Sequence, residues 1–194
     1  MTKDTQYWSE FYKKTQLTHD SSDFCNFILK FFEKSNIINT VLDCGCGSGR
    51  DSRKLDEKYI VTAIDNCGVL PLNEGSSDIE YLCDDFVEFP KDDYDLIYSR
   101  FTFHSITDQK QEEFIKSIKK SGQYLVIETR SNKSKDIQEF HGKNHYRNYT
   151  DLYHIQNLLA KKNNFEILYL VESNNFAIYK DENPVCIRVI AKKR

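Results

Sequence analysis

The run Val41-Leu42-Asp43-Cys44-Gly45-Cys46-Gly47-Ser48-Gly49 constrains this chain more than any other stretch. It is a short apolar strand closed by a carboxylate, then three glycines at alternate positions, then a helical stretch. Glycine reaches backbone conformations closed to other residues and lets a ligand approach the main chain, so the pattern reads as a binding loop between a strand and a helix. A dinucleotide fingerprint also begins Gly-x-Gly. Its third small residue falls at the sixth position, where Arg50 stands here. A Walker loop is excluded because no Gly-Lys-Ser/Thr follows. Asp43 would repel a phosphate and attract positive charge.

The surrounding chain alternates in the same rhythm. Helical spacing of apolar residues marks 5–14 and 22–34, the latter with Phe24, Phe27, Ile28, Phe31 and Phe32 on one stripe. Short apolar runs at 40–43, 60–65, 79–83, 95–99 and 122–128 read as strands, and 109–120 as a helix. Residues 131–149 are polar and nearly free of aliphatics, which predicts a long connection. A helix at 151–162 precedes strands at 165–171 and 185–191, close enough in sequence to form an antiparallel hairpin. The expectation is an α/β fold: a doubly wound, seven-stranded sheet, mostly parallel with an antiparallel last strand. At 194 residues one domain over 1–194 is expected, with 1–36 as an N-terminal helical lid and 131–150 as a substrate loop.

A formal charge of −3 supplies no overall positive field, so neither nucleic acid nor a membrane surface is an expected partner. Residues 1–6 are polar and no segment has the length and apolarity of a membrane span, which predicts a cytoplasmic location. The six cysteines are then expected reduced. Cys44-x-Cys46 has no second pair or nearby histidine to complete a ligand set, and no metal is expected. Oligomeric state is left open.

Asp65 ends the second strand, where a carboxylate can accept from ribose hydroxyls. With Asp43 it describes a nucleoside carrying positive charge, and S-adenosylmethionine, with an ammonium and a sulfonium, is such a molecule. At this point the sequence resembles the class I methyltransferase family, in order across residues 38–130. The resemblance implies S-adenosylmethionine as cofactor and S-adenosylhomocysteine as product. It implies that Asp43, Gly45 and Gly47 line the methionine end, that Asp65 holds the ribose, and that Asp85 and Phe86 meet the adenine, with Asp84 as the rival to Asp85.

In a doubly wound sheet the segment after the fourth strand faces the ligand. That segment is Ser99-Arg100-Phe101-Thr102-Phe103-His104-Ser105, with Ser99 expected beside the cofactor. It lacks the Asn/Asp-Pro-Pro-aromatic run of enzymes that methylate exocyclic base amines, so a small-molecule acceptor is expected. His104 is a candidate general base, or else a residue that caps or packs. Arg100, Arg130, Lys133, His141, His145 and Arg147 are placed to converge on an anionic acceptor. Tyr7, Trp8 and Tyr12 are placed to fold over the site. The pieces S-R-F-x-x-H, E-T-R and E-S-x-x-x-A-x-Y-K-D-E-N-P-V-x-x-R-V-I-A-K also resemble small bacterial methyltransferases of surface-polysaccharide modification, including those linked to capsule phosphoramidate. That implies O-methylation of a phosphoramidate-bearing or sugar-linked acceptor. The alternatives are methylation of another small metabolite, or a subunit that binds the cofactor without catalysis.

Overall fold

Period-two alternation within the apolar runs decides how the sheet is covered. In β1 (Thr40–Cys44) Val41 joins Val61 and Ala63 of β2 (Ile60–Ile64) on one face, while Leu42 and Cys44 join Ile64 on the other. The split continues through β4 (Leu96–Arg100) and β5 (Tyr124–Arg130): Leu96, Tyr98 and Val126 face one way, Ile97, Leu125 and Ile127 the other. Each face therefore needs its own helical cover. Phe24, Cys25 and Ile28 of α2 (Asp23–Phe31) and Leu55 of α3 (Arg50–Asp56) supply one. Phe114 and Ile115 of α4 (Asp108–Lys116), Ile155 of α5 (Leu152–Gln156) and Leu158 and Leu159 supply the other. An earlier helix, α1 (Lys3–Lys14), precedes this framework.

The computed structural model describes residues 3–14, 20–66, 78–134, 146–178 and 181–194. With β3 (Glu80–Leu82), β6 (Phe165–Ser173) and β7 (Cys186–Lys193), the seven strands lie in the order β3-β2-β1-β4-β5-β7-β6. The pairs among β1 to β5 are parallel, and β7 runs antiparallel to both neighbours, as the short β6–β7 connection requires. This is the expected fold class.

Boundaries shift where side chains intervene. Ser22 accepts from the Cys25 N–H at 3.0 Å and starts α2 at Asp23, and Thr107 caps α4 in the same way. Strand β5 runs to Arg130, two residues beyond the expected end, because its ladder with β7 continues to the Arg130–Cys186 pair. The helix expected over 151–162 is α-helical only to Gln156 and widens into a π-helix at Asn157–Lys162. Among the described residues no helix is long and apolar enough to cross a membrane.

Candidate active site

The chain winds from β1 outward through β2 and β3, then returns to lay β4 on the other side of β1. Where the winding reverses, the connections leave in opposite directions and open a crevice at the strands' carboxyl ends. A cavity of about 820 Å³ occupies that crevice.

One end of it is acidic. Asp43 closes β1 and is buried, its Oδ2 accepting from the Ser52 hydroxyl at 2.6 Å. Burial pushes its carboxyl up to about 7; the nearby Asp51 and Asp65 add to that and the Ser52 hydroxyl opposes it. Asp65 follows β2 and accepts the Gly47 N–H at 2.9 Å, so the expected ribose carboxylate also fastens the glycine loop. Asp85 accepts from the Val87 N–H at 3.0 Å and from Lys110 Nζ at 2.8 Å. Partial burial raises its pKa, but Lys110 and the Val87 N–H outweigh that and leave it below the usual carboxylate range. Phe86 is buried edge-on to Phe114. Asp85 and Phe86 line the cavity; Asp84 is exposed and does not.

The glycines have a use the sequence did not reveal. Gly45 has φ 79°, and a Cβ there would meet Thr102 Cγ2 at 1.8 Å. Gly47 has φ 56°, and a Cβ there would meet Tyr12 Oη at 2.3 Å. The space is taken by the chain's own side chains, and close packing of the loop is what these two positions require. Thr102 donates to the Cys44 carbonyl at 3.0 Å and receives the Ser99 hydroxyl at 2.6 Å, which ties the glycine loop to the turn after β4.

The other end is basic and strained. Phe101 leaves β4 at φ 59°, a conformation that costs a bulky residue roughly 1–3 kcal/mol. Its ring lies under the Arg100 guanidinium at 4.4 Å and that of Arg130 at 5.7 Å, with the His104 ring edge-on at 5.7 Å. Glu128 is fully buried and bridges Arg100 Nε at 3.0 Å and Arg188 Nε at 2.6 Å. Arg130, 4% exposed, places one terminal nitrogen 3.0 Å from Glu182, and its other, Nη1, is buried with no hydrogen-bond partner among the described residues. His104 Nδ1 lies 3.3 Å from the Arg130 backbone N–H and 3.2 Å from the Thr129 hydroxyl. The Asn148 N–H donates to the His104 carbonyl at 2.7 Å and brings Tyr146 and Arg147 to the cavity wall.

Of the expected site residues, Asp43, Gly45, Asp65, Asp85, Phe86, Arg100, His104, Arg130 and Arg147 line one cavity. Others do not. Ser99 is fully buried beneath Thr102, and Thr102 takes the wall position in its place. Tyr7 packs edge-on against Trp8, while Thr5, Trp8, Phe11 and Tyr12, spaced three and four residues apart, form the cavity-facing stripe of α1. Gly47 sits behind Tyr12. Lys133 is drawn away to Glu172. His141, His145 and Cys67 lie outside the described residues. Sequence reasoning missed Phe101, Thr102, Lys110, Tyr146, Phe176 and Glu182 as wall residues. Phe176 and Glu182 come from the β6–β7 connection, and nothing local in that polar stretch points to it.

A methyltransferase-domain family model matches residues 16–170. Phosphoethanolamine N-methyltransferase 3 of Arabidopsis thaliana is 29% identical over 168 residues, covering 76% of this chain and 34% of that protein, so the chain spans about a third of that relative's length. An S-adenosylmethionine-dependent methyltransferase of Anabaena variabilis superimposes with a TM-score of 0.70 at 18% identity, covering 99% of this chain and 95% of that one. The N-methyltransferase NodS of Bradyrhizobium japonicum, solved with S-adenosylhomocysteine, gives a TM-score of 0.69 at 15% identity over 98% of each chain. The reversed strand order and the acidic glycine loop define a class I methyltransferase architecture. The chain belongs to the methyltransferase-domain family, whose cofactor is S-adenosylmethionine.

Proposed function

We propose that this chain transfers a methyl group from S-adenosylmethionine to an oxygen of a small anionic acceptor, a phosphoramidate-bearing or sugar-linked group of surface polysaccharide, in the cytoplasm. Bound S-adenosylmethionine supplies an electrophilic methyl on a sulfonium. The acidic end fits such a cation: Asp43 would meet the ammonium, Asp65 the ribose, and Asp85 with Phe86 the adenine. The single observation carrying the acceptor class is Arg130 Nη1, a buried charged donor on the cavity wall with no hydrogen-bond partner among the described residues. A group of this kind is costly to bury unless an acceptor reaches it, and an oxyanion satisfies it best. Arg147 stands on the same wall, and His141 and His145 belong to the same proposed substrate loop, 131–150. Residues 1–36 are proposed to close over the cofactor, with Trp8, Phe11 and Tyr12 on the cavity side of α1. Aligning acceptor and methyl is the main work of the site.

Methyl transfer measured with phosphoramidate-bearing sugars, phosphorylated sugars and their uncharged counterparts tests this. Turnover confined to the charged set is expected, and turnover confined to the uncharged set overturns it. A second reading, methylation at the nitrogen of a phosphorylated amine, is favoured by the identity with a phosphoethanolamine N-methyltransferase. Phosphoethanolamine as acceptor, with the methylated atom located by mass spectrometry, separates the two.

A further inference from the structure

Lys91, in the connection from β3 to β4, is a lysine only 1% exposed. Its Nζ donates to the Val87 carbonyl at 3.1 Å and to the Phe89 carbonyl at 2.7 Å. Both partners are neutral, and among the described residues no carboxylate pairs with it. Burial pushes its ammonium below the usual lysine range. A buried ammonium held by carbonyls alone is costly, and a methionine would fill the same space without that cost.

What the ammonium holds is the turn that carries Asp85 and Phe86. Asp85 binds the amides of that turn while Lys91 binds its carbonyls. The Asp85 carbonyl accepts from the Glu88 and Phe89 N–H groups at 3.1 and 3.0 Å, and its carboxylate from that of Val87. Phe86 meets Phe114 edge-on at 5.4 Å, and the same Phe114 ring lies 5.3 Å from Lys91 Nζ. Gln123 Nε2 fixes Lys91 in turn, donating to its carbonyl at 2.5 Å and to that of Tyr94 at 2.6 Å. The charge of Lys91, together with that of Lys110, also favours the ionised form of Asp85.

We propose that Lys91 is a positioning residue for base recognition: it locks the 85–89 turn through two carbonyls, so that Asp85 meets the exocyclic amine of adenine and Phe86 its ring. This rests on the reading that places adenine at Asp85 and Phe86. Lys91 is not among the wall residues of the cavity, so it acts on the cofactor only through that turn.

Calorimetry on the full chain compares S-adenosylhomocysteine with S-inosylhomocysteine, which turns a carbonyl oxygen instead of an amine toward Asp85. The parent protein is expected to prefer the adenosyl form about tenfold or more, and K91M to bring that preference within about threefold. General destabilisation would weaken both ligands alike. In the same variant, hydrogen exchange at the amides of Val87, Glu88 and Phe89 is expected about tenfold faster. K91Q, whose amide can still donate to one carbonyl, carries the same test with a smaller change should K91M not fold. An unchanged preference beside a selective parent, or unchanged exchange at the turn, overturns the proposal. Faster exchange beside a parent that binds both ligands equally upholds the hold of Lys91 on the turn and overturns the placing of adenine at Asp85 instead.

Discussion

The two ends of the cavity are assembled by opposite means. The acidic end is built from consecutive strand-to-loop connections, Asp43 after β1 and Asp65 after β2, with Asp85 following β3. Its geometry comes from neighbouring backbone: the Gly45 and Cys46 N–H groups both donate to the Ile64 carbonyl, at 2.7 and 3.0 Å. The basic end draws on segments far apart in the chain and is joined by ion pairs across 28, 52 and 60 residues. A ligand-binding loop can therefore be built locally, whereas a cluster of like charges needs carboxylates brought from elsewhere. Buried guanidiniums without Glu128 and Glu182 would carry an uncompensated desolvation cost.

That contrast can be broken most severely at the basic end. Glu182→Ala leaves Arg130 buried without its partner and is expected to cost about 3–5 kcal/mol in denaturant unfolding, whereas the double variant with Arg130→Met recovers most of the loss. Equal stability of the single variant and the parent protein would show the pair to be dispensable. At the acidic end, Asp43→Asn keeps the shape and removes the charge. Calorimetric affinity for S-adenosylmethionine should fall about a hundredfold, while the ligand-free variant unfolds no more easily at low pH and is more stable than the parent above about pH 7, where the buried charge is removed.

The pH dependence sharpens the same comparison. With its folded pKa raised to about 7, ligand-free Asp43 holds its proton more tightly than the unfolded chain, so its contribution to stability is present at low pH and lost as pH rises from about 4 through 7. Cofactor binding runs the opposite way, because the cation needs the carboxylate. Affinity should weaken about tenfold between pH 8 and pH 6, a dependence absent in Asp43→Asn. The smallest effect is expected at Lys110, whose bond to Asp85 is partly exposed. Lys110→Met should change stability by less than about 1 kcal/mol, and cofactor affinity should hold or improve as Asp85 is released, read by the same titration.

The α/β rhythm, the seven strands and the antiparallel ending were legible because period-two and helical spacings are local properties. So were Asp43, Asp65 and Asp85, each ending or following a strand. Glu182 was not legible, since its partner Arg130 is 52 residues away and only the β6–β7 connection folding over β5 brings them together. Ser99 and Tyr7 illustrate a finer limit. Each lies in a segment that does reach the cavity, yet side-chain direction put Thr102 and Tyr12 on the wall instead. The glycines were recognised as needed, but the atoms that need their space, on Thr102 and Tyr12, come from a distant loop and from α1.

By itself, the sequence determined a doubly wound sheet and a loop suited to a positively charged nucleoside, because backbone sterics and the alternation of apolar residues act between near neighbours. Tertiary structure alone decided which arginines are neutralised, that an Arg130 donor is buried with no partner among the described residues, and that His104 Nδ1 meets the Arg130 N–H. Each of those depends on a group that chain topology brings within about 3 Å, the range at which hydrogen bonds and ion pairs take effect.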